Sequence, residues 1–262
     1  MGLSWRVAFW TPFGLAPRLM RPNVGRKRWI GNAPDAAVIV VWARVPQSHG
    51  GAVNGFLVRA DDPGVAVDVM PRKLGLRAIR NGDVVLVDAA ATRLPGARSF
   101  ADTGKLLMLS RTMVSFQPAG LALGCYEAAR SYVLAREQFG APLAANQLVQ
   151  AKLVHVLFLA QACAAAALRL ASLHAEGKLT HGQASLVKAE TTRMAREAAG
   201  IARDLQGGNG MLTDYLCAKH LADAEAYYTY EGAHDINMLV AARDVLGISA
   251  LRPNGTHAKS KL

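Results

Sequence analysis

The side chains best suited to chemistry lie in one stretch near the C-terminus, residues 225–237, which read EAYYTYEGAHDIN. In this stretch Glu231 is followed directly by Gly232. Aromatic rings that exclude water make a carboxylate a stronger base, so Glu231 is a candidate general base. Because Gly232 has no Cβ, backbone or a flat ligand can approach the carboxylate closely. The alternative is a plain acidic helix start, which Glu231 and Asp235 would both favour. The rings in question are Tyr227, Tyr228 and Tyr230.

Two further motifs combine charge or glycine with the end of a predicted helix. Arg136-Glu-Gln-Phe139-Gly140 closes one helix, where Arg136 could simply lie at the negative end of the helix dipole. The run 207–210, GGNG, follows a helix rather than a strand, so it does not match the glycine fingerprint of a Rossmann fold. Taken alone, this run predicts a glycine helix cap and a chain reversal.

Neither a metal site nor a nucleophilic hydrolase is indicated. The seven histidines do not form a metal-binding pattern, and no nucleophile elbow is present. The three cysteines are too widely spaced for a disulfide framework or a CxxC site. Each lies in an apolar helical context, so we expect each to be a small buried side chain. These cysteines are Cys125, Cys163 and Cys217.

The charge of the chain is concentrated at its ends. The formal net charge is +11, yet residues 1–34 carry six basic and no acidic side chains, and residues 251–262 add three basic ones. The body of the chain is therefore nearly balanced, which argues against a nucleic-acid partner. The most apolar run, residues 153–168, is shorter than the roughly 20 residues that span a bilayer. We therefore expect a cytoplasmic protein without a membrane span.

The elements that precede the helices have the pattern of strands. Short β-branched runs alternate with turn signals at residues 62–64 and 81–83, which predicts a small antiparallel sheet. Residues 46–51 and 94–97 are predicted loops. The predicted strands are residues 38–43, 55–58, 65–69 and 84–87.

From residue 103 onwards the pattern is helical. Residues 146–175 are apolar nearly all round, which predicts a helix buried within a bundle. In residues 183–205 one face is apolar, and Lys188 is assigned to the opposite, charged face. The predicted helices are residues 104–137 with a weak point at 118–120, then 146–175, 183–205, 214–229 and 232–246.

The fold class that follows is mainly α with a small β-domain, in which a partial antiparallel β-domain precedes an antiparallel helical bundle. We divide the chain into an atypical N-terminal segment, a partial middle β-domain, a C-terminal helical bundle and a basic tail. Their ranges are residues 1–24, 25–102, 103–250 and 251–262.

The run 228–237, YTYEGAHDIN, resembles the catalytic segment of the acyl-CoA dehydrogenases, most closely the glutaryl-CoA dehydrogenase branch. The resemblance extends over roughly residues 25–250. It implies that Glu231 removes the α-proton of an acyl-CoA while FAD accepts the β-hydride, which gives an enoyl-CoA. It also implies electron-transferring flavoprotein as a partner and assembly as a homotetramer.

The same resemblance implies roles for further residues. Arg136 and Phe139 match an Arg-x-x-Phe-Gly motif that holds the flavin dinucleotide of a neighbouring subunit, and Trp29 matches an aromatic residue beside the flavin ring. The full set implied for FAD is Trp29, Arg136, Phe139, Gln147, Asp204, Gly208 and Ala233. The set implied for substrate is Arg111, Tyr230 and Gly232.

The chain departs from the family pattern in three places. Ala233 replaces a threonine whose hydroxyl would face the flavin, and Gly31 replaces a hydroxyl residue. The flavin loop and the N-terminal helical domain are not matched, so glutaryl specificity and decarboxylation are not assigned. We therefore expect an N-terminally shortened enzyme with poor turnover on its own. The alternative hypothesis is an inactive subunit that packs with a full-length homologue.

Overall fold

A computed structural model describes residues 7–8, 24–45, 52–97 and 99–250. The described residues up to Leu106 form one compact unit, and those from Leu107 form a second. The first unit consists mainly of strands and the second mainly of helices, in the order that the sequence predicts, and the helix that begins at Phe100 crosses the boundary. The predicted tail at residues 251–262 and the predicted loop at 46–51 lie outside the described residues.

The first unit contains seven strands in two sheets rather than the single sheet that we predicted. One sheet has the order β1-β3-β4-β7 and the other has the order β2-β6-β5. The pairs are antiparallel except β1 with β3, which is parallel. The strands are β1 (Val7–Ala8), β2 (Val24–Gly31), β3 (Val38–Arg44), β4 (Val53–Arg59), β5 (Val65–Val69), β6 (Asn81–Val87) and β7 (Ala91–Arg93).

Alternating apolar side chains explain why two sheets form. Val41 of β3, Val58 of β4 and Leu86 of β6 are all fully or almost fully buried in one cluster that draws on both sheets. Because side chains alternate faces along a strand, each sheet has one apolar face, and these two faces share the core.

The turn predicted at residues 81–83 is wrong, because these residues pair with both β2 and β5 inside strand β6. Gly82 is required there for another reason: a Cβ would lie 2.8 Å from Val67 Cγ1. The turn at residues 62–64 is confirmed, since the Gly64 N–H donates to Asp62 Oδ1 at 2.8 Å. Val7–Ala8 pairs with β3, so part of the N-terminal segment belongs to the fold.

The helices pack around α4, which contacts α2, α3, α5 and α6. A short hairpin of β8 (Glu137–Gln138) and β9 (Ala141–Pro142) joins α2 to α3. Short 3-10 turns cover residues 143–145 and 207–211. The helices are α1 (Phe100–Val114), α2 (Phe116–Ala135), α3 (Gln147–Ala175), α4 (His181–Leu205), α5 (Leu216–Thr229) and α6 (His234–Leu246).

Local chemistry sets several of these helix ends. α4 begins with a reciprocal capping box between Thr180 and Gln183, and α3 begins where Asn146 Oδ1 accepts from the Leu148 N–H at 3.1 Å. The stretch predicted as one helix over 104–137 is interrupted at Ser115, not at 118–120. Pro118 explains this position, because it has no N–H for the carbonyl four residues earlier, that of Val114.

The prediction that α3 is buried on all sides is wrong. One face packs against α2 and α4, but Val154, Phe158 and Leu168 on other faces are 64%, 61% and 60% exposed. α3 is also longer than the apolar run of residues 153–168, which we compared with the length needed to span a bilayer. Among the described residues, it alone is long and apolar enough to cross a membrane, a test that core helices of soluble proteins also pass.

The three cysteines are buried, as predicted, and unpaired in disulfides. Burial raises the pKa of the Cys163 thiol to about 12, which makes it a poor nucleophile at neutral pH. Within the described ranges, no group of three His, Cys, Asp or Glu side chains is placed to hold a metal ion.

Candidate active site

Glu231 and Gly232 form the turn between α5 and α6. α5 ends at Thr229, and Glu231 and Gly232 follow with φ angles of 54° and 92°, both in the left-handed region. α6 begins only at His234, so Glu231 lies before the helix and not in its first turn. The alternative of a plain acidic helix start therefore fits Asp235 but not Glu231.

Gly232 is required by the backbone and by its neighbours. Its φ of 92° is one that residues with a Cβ rarely adopt. A Cβ at this position would also lie 3.0 Å from Asn237 Nδ2 and 3.2 Å from Arg111 Nη2. The Gly that follows the carboxylate thus permits a close approach, as the sequence predicts, but the groups that approach are side chains of this chain.

Three buried donors hold the two carbonyls of the turn. Arg111 Nε donates to Glu231 O at 3.1 Å, Lys188 Nζ donates to Gly232 O at 2.8 Å, and Asn237 Nδ2 donates to Gly232 O at 2.6 Å. These donors come from α1, α4 and α6, respectively. Because three helices supply them, the conformation of the turn depends on the packing of the bundle.

Two of these donors are buried cations. Burial, as the larger cause, and the nearby charge of Arg111 together lower the pKa of Lys188 to about 8, while Glu231 acts in the opposite direction. Burial also lowers the pKa of Arg111, against the attraction of Glu231. Arg111 is further fixed by its Nη1, which donates to Ser185 Oγ at 2.9 Å.

The carboxylate itself is held by one hydroxyl. Ser110 Oγ on α1 donates to Glu231 Oε2 at 2.9 Å. The Glu231 side chain is half-buried, so it is oriented by protein contacts and still open on one side. A half-buried carboxylate with a fixed orientation has the properties of a general base.

The tyrosines predicted to shield Glu231 do not act as one wall. The Tyr230 hydroxyl donates to Gln117 Oε1 on α2, and burial raises the pKa of Tyr230. Tyr227 packs against Tyr230 with ring centroids 5.8 Å apart. Tyr228 instead stacks on His234 at 4.8 Å and under the guanidinium of Arg196, so it belongs to another cluster.

A cleft of about 440 Å³ lies in the helical unit and includes several of the predicted cofactor residues. Arg136, Asp204 and Gly208 line it together, although they are far apart in sequence. Lys152 of α3, which we did not predict, forms an ion pair with Asp204 and lowers the pKa of that carboxyl by donating a hydrogen bond to it. Gln147 is exposed at the start of α3 and is not part of the lining.

Phe139 lies at the tip of the hairpin beside the cleft. Phe139 and Gly140 have φ angles of 55° and 79°, and the Phe139 ring is fully exposed. A positive φ is rare for an aromatic residue, so the turn holds an apolar ring in solvent at a cost in backbone energy. Gly140 and Pro142, residue types that commonly follow the end of a helix, therefore lie in the hairpin that follows α2.

The remaining predicted residues lie elsewhere. Trp29 is in β2 of the first unit, where a bulge between Lys27 and Ile30 gives it a φ of 64° and leaves its side chain 59% exposed. Its carbonyl accepts from Asn81 Nδ2 at 3.3 Å. Ala233 is the residue before α6, is exposed, and caps the helix with no side-chain hydrogen bond.

Four residues that hold Glu231, its turn or the neighbouring Tyr230 ring were not predicted from the sequence. Lys188 was assigned to the charged face of α4, but it is fully buried. Its spacing from Ala184, Ala195 and Ala199 was the available signal, because these residues share its buried stripe. Two of the other three reach the site from distant parts of the chain, where no local pattern marks them, and the third, Asn237, lies only six residues after Glu231. These are Ser110, Gln117 and Asn237.

Comparison with known domains agrees with this architecture. A sequence model of the acyl-CoA dehydrogenase C-terminal domain matches residues 100–246, and one of the middle domain of the same family matches residues 23–89. The chain belongs to the acyl-CoA dehydrogenase family.

Individual relatives within the family are distant. A probable short/branched chain specific acyl-CoA dehydrogenase of Dictyostelium discoideum is 28% identical over 245 residues, which cover 89% of this chain and 59% of the relative. The mitochondrial short-chain specific enzyme of Bos taurus is also 28% identical, with coverage of 85% and 55%. This chain therefore spans less than two thirds of the length of these curated relatives.

Solved structures of the family have the same fold. A glutaryl-CoA dehydrogenase from Mycobacterium smegmatis superposes with a TM-score of 0.85 at 30% identity, over 94% of this chain and 66% of that one. A second structure of a glutaryl-CoA dehydrogenase from the same organism, in complex with FADH2, gives the same TM-score at 28% identity.

The cleft has groups that fit the nucleotide part of FAD. The Arg136 guanidinium lines the cleft and has no side-chain partner in the part of the chain that is described, and arginine binds phosphate oxygens with paired N–H donors. Gln206 Oε1 is buried in the lining without a hydrogen-bond donor. At Gly207 and Gly208 no atom of the other described residues, apart from the two chain neighbours of each glycine, lies within 4 Å of a hypothetical Cβ, so the backbone there is open to a ligand.

Proposed function

We propose that this chain serves in the FAD-dependent dehydrogenation of an acyl-CoA, with Glu231 as the general base. One observation carries the proposal: the half-buried Glu231 carboxylate, oriented by Ser110, lies on a turn that buried donors from three helices hold. Membership of the family supports the reaction type, and the Mycobacterium smegmatis structures favour a glutaryl-CoA-like branch.

In this reaction Glu231 removes the α-proton, and the electron pair of the C–H bond forms an enolate with its charge on the thioester oxygen. FAD, when bound, accepts the hydride from the β-carbon, so that a C=C double bond results. The backbone N–H of Glu231 has no acceptor in the described part of the chain and is available to the thioester oxygen. Ser110 keeps the carboxylate pointed in one direction while the proton is transferred.

The resemblance assigns Arg111, Tyr230 and Gly232 to substrate binding, and the geometry refines how they act. The hydrogen bonds that Arg111 makes go to Glu231 O and Ser185 Oγ, so we propose that it supports the turn rather than contacting CoA. Tyr230 is anchored by its hydrogen bond to Gln117, and we propose that its ring borders the substrate next to Glu231. Gly232 allows the turn to exist.

For FAD, we propose that Arg136, Asp204 and Gly208 bind the dinucleotide at the cleft of the helical unit. The resemblance also assigns Trp29, Gln147 and Ala233 to FAD, and we propose them as further cofactor residues. The exposed Phe139 ring supports a role toward the cofactor of a neighbouring subunit. The apolar exposed face of α3 supports assembly as a homotetramer. We also propose electron-transferring flavoprotein as the electron acceptor and the cytoplasm as the location.

The test is a dye-reduction assay of the purified 262-residue chain, loaded with FAD, on short acyl-CoA substrates and glutaryl-CoA. We compare Glu231→Gln with Glu225→Gln, because Glu225 is a surface carboxylate on α5 that pairs with Arg196. Glu231→Gln should retain the flavin band near 450 nm and lose at least about 100-fold in rate, while Glu225→Gln should match the parent. Equal rates for the two variants would exclude Glu231 as the base. A parent that binds FAD but does not reduce the dye would favour the alternative of an inactive subunit.

A further inference from the structure

Lys188 is the most unusual charged residue of the helical unit. It lies in the middle of α4, its side chain is fully buried, and its Nζ donates to Gly232 O at 2.8 Å. The Nζ also lies 5.9 Å from the centre of the Tyr230 ring. The residues that share its buried stripe on α4 are small and carry no charge, and they include the hydroxyl residues Ser185, Thr191 and Thr192.

The electrostatic surroundings make this ammonium costly. The charged groups that act on it are Arg111 from α1 and Glu231 from the turn, and the neighbouring ring is that of Tyr230. From α6, His234 contacts the residue after Lys188, since its Nδ1 lies 3.3 Å from Ala189 O. A methionine would fill a similar volume without a buried charge, so stability alone does not explain the lysine.

The peptide geometry of the turn shows what the charge can do. In a trans peptide the C=O and N–H point in opposite directions. Because the carbonyls of Glu231 and Gly232 point to buried donors, the N–H groups of Gly232 and Ala233 point away from those donors. Neither N–H has an acceptor in the described residues. Two donors on Gly232 O also polarise that peptide group and make the Ala233 N–H a stronger donor.

We propose that Lys188 is a positioning residue of the active site, which holds the Glu231–Gly232 turn and whose charge stabilises negative charge formed on the thioester. The inference rests on the proposed dehydrogenation. Lys188 does not touch the substrate; it acts through the Gly232 carbonyl and through its field. Among the described residues, loss of the ammonium leaves Asn237 as the one side-chain donor on that carbonyl, and the Glu231 carboxylate is then less well oriented.

The experiment compares Lys188→Met and Lys188→Arg with the parent chain, all loaded with FAD. The control is Lys178→Met, because Lys178 is an exposed lysine that pairs with Glu176. We measure melting temperature, flavin content, and kcat and KM between pH 6 and 10. Lys188→Met should melt no lower than the parent and keep its flavin. Its kcat should fall about 10- to 100-fold with little change in KM, and Lys188→Arg should recover part of this loss.

The pH profile separates a role of the charge from a purely structural role. Because burial lowers the pKa of Lys188 to about 8, kcat of the parent should fall as pH rises through this value. Lys188→Met should lack this fall, and Lys178→Met should retain it. The proposal is overturned if Lys188→Met keeps kcat within about twofold of the parent, or loses it only in proportion to lost flavin or folded protein. If Lys188→Met does not fold, the same comparison of kcat and of its pH dependence is made between Lys188→Arg and the parent.

Hydrogen exchange distinguishes failure of this inference from failure of the proposed function. If the FAD-loaded parent shows no turnover, the proposed function fails, and positioning is judged by amide exchange in residues 229–238. Lys188→Met should exchange faster there than the parent, while Lys178→Met should not. Unchanged exchange in Lys188→Met overturns the role of Lys188 in holding the turn.

Discussion

Gly232→Ala is the substitution that most directly tests the geometry of the turn. The residue has a φ of 92°, where an L-residue is strained by about 1–2 kcal/mol. The new Cβ would also meet Asn237 Nδ2 at 3.0 Å and Arg111 Nη2 at 3.2 Å. Both side chains are buried and hydrogen-bonded, so moving them should cost at least about 1 kcal/mol more. The expected loss of stability is therefore about 3 kcal/mol.

The matched control is Gly200→Ala in α4. Gly200 has an ordinary helical backbone, and apart from its own helix no atom lies within 4 Å of a Cβ built there. Alanine has the higher helix propensity by about 1 kcal/mol, so this substitution should stabilise the helix by up to that amount. The same chemical change, Gly to Ala, is thus expected to have opposite signs at the two positions.

Thermal unfolding by circular dichroism, with urea titrations at 25 °C, measures both variants. For a chain of this size about 3 kcal/mol corresponds to a melting temperature lower by about 6–12 °C for Gly232→Ala, while Gly200→Ala should be unchanged or slightly higher. The base should also lose its orientation, so dye reduction by Gly232→Ala should fall even below its melting transition. If Gly232→Ala melts with the parent, the described turn and its contacts with Arg111 and Asn237 are refuted.

Three further predictions concern the cofactor, the base and the buried ammonium. Arg136→Ala should lower FAD affinity with a melting temperature near that of the parent, because an exposed helix-end charge contributes little stability. The control Arg130→Ala, which removes an exposed arginine on α2, should change neither the FAD affinity nor the melting temperature. If Arg136→Ala instead lowers the melting temperature and leaves FAD affinity unchanged, Arg136 is a helix cap. Ser110→Ala should reduce dye reduction about 10-fold with flavin content unchanged, and a rate equal to that of the parent would show that the 2.9 Å hydrogen bond to Glu231 does not matter. The pKa of Lys188 is about 8 in the folded chain against an ordinary value of 10.5, so the unfolded chain binds more protons between these pH values. The free energy of unfolding should therefore rise with pH across that window, by about 3 kcal/mol in all. Urea titrations at pH 7, 8, 9 and 10 should show this rise in the parent and not in Lys188→Met, and parallel slopes for the two would contradict it.

Much of the second unit was predictable because its signals are local. The capping box at Thr180, the apolar period of α4 and the glycines after it all act within one or two turns of the chain. Glu231 was singled out as the candidate base from a local pattern as well, since Glu231-Gly232 follows a run of tyrosines. The Glu-Gly pair that forms the turn is visible in the sequence, and glycine is the residue type that a left-handed backbone favours.

Other features were not visible because they depend on partners that are distant in sequence. Asn81-Gly82-Asp83 has the composition of a turn, yet two neighbouring strands pair with it and draw it into β6. α3 is apolar on several faces, but only the sides against α2 and α4 are covered within this chain. In both cases the local preference is real, and tertiary contacts decide the outcome.

Residue types and spacing alone therefore indicated a β-unit followed by helices, and they singled out Glu231. Which side chains hold Glu231 was settled only by tertiary structure, because Ser110, Arg111 and Lys188 lie between 43 and 121 residues away from it along the chain. In the sequence, Lys188 cannot be distinguished from a surface lysine, because its burial results from the packing of the helices around α4. Hydrophobic period reports which face of a helix is buried, but it does not report which carbonyl a buried ammonium will find there.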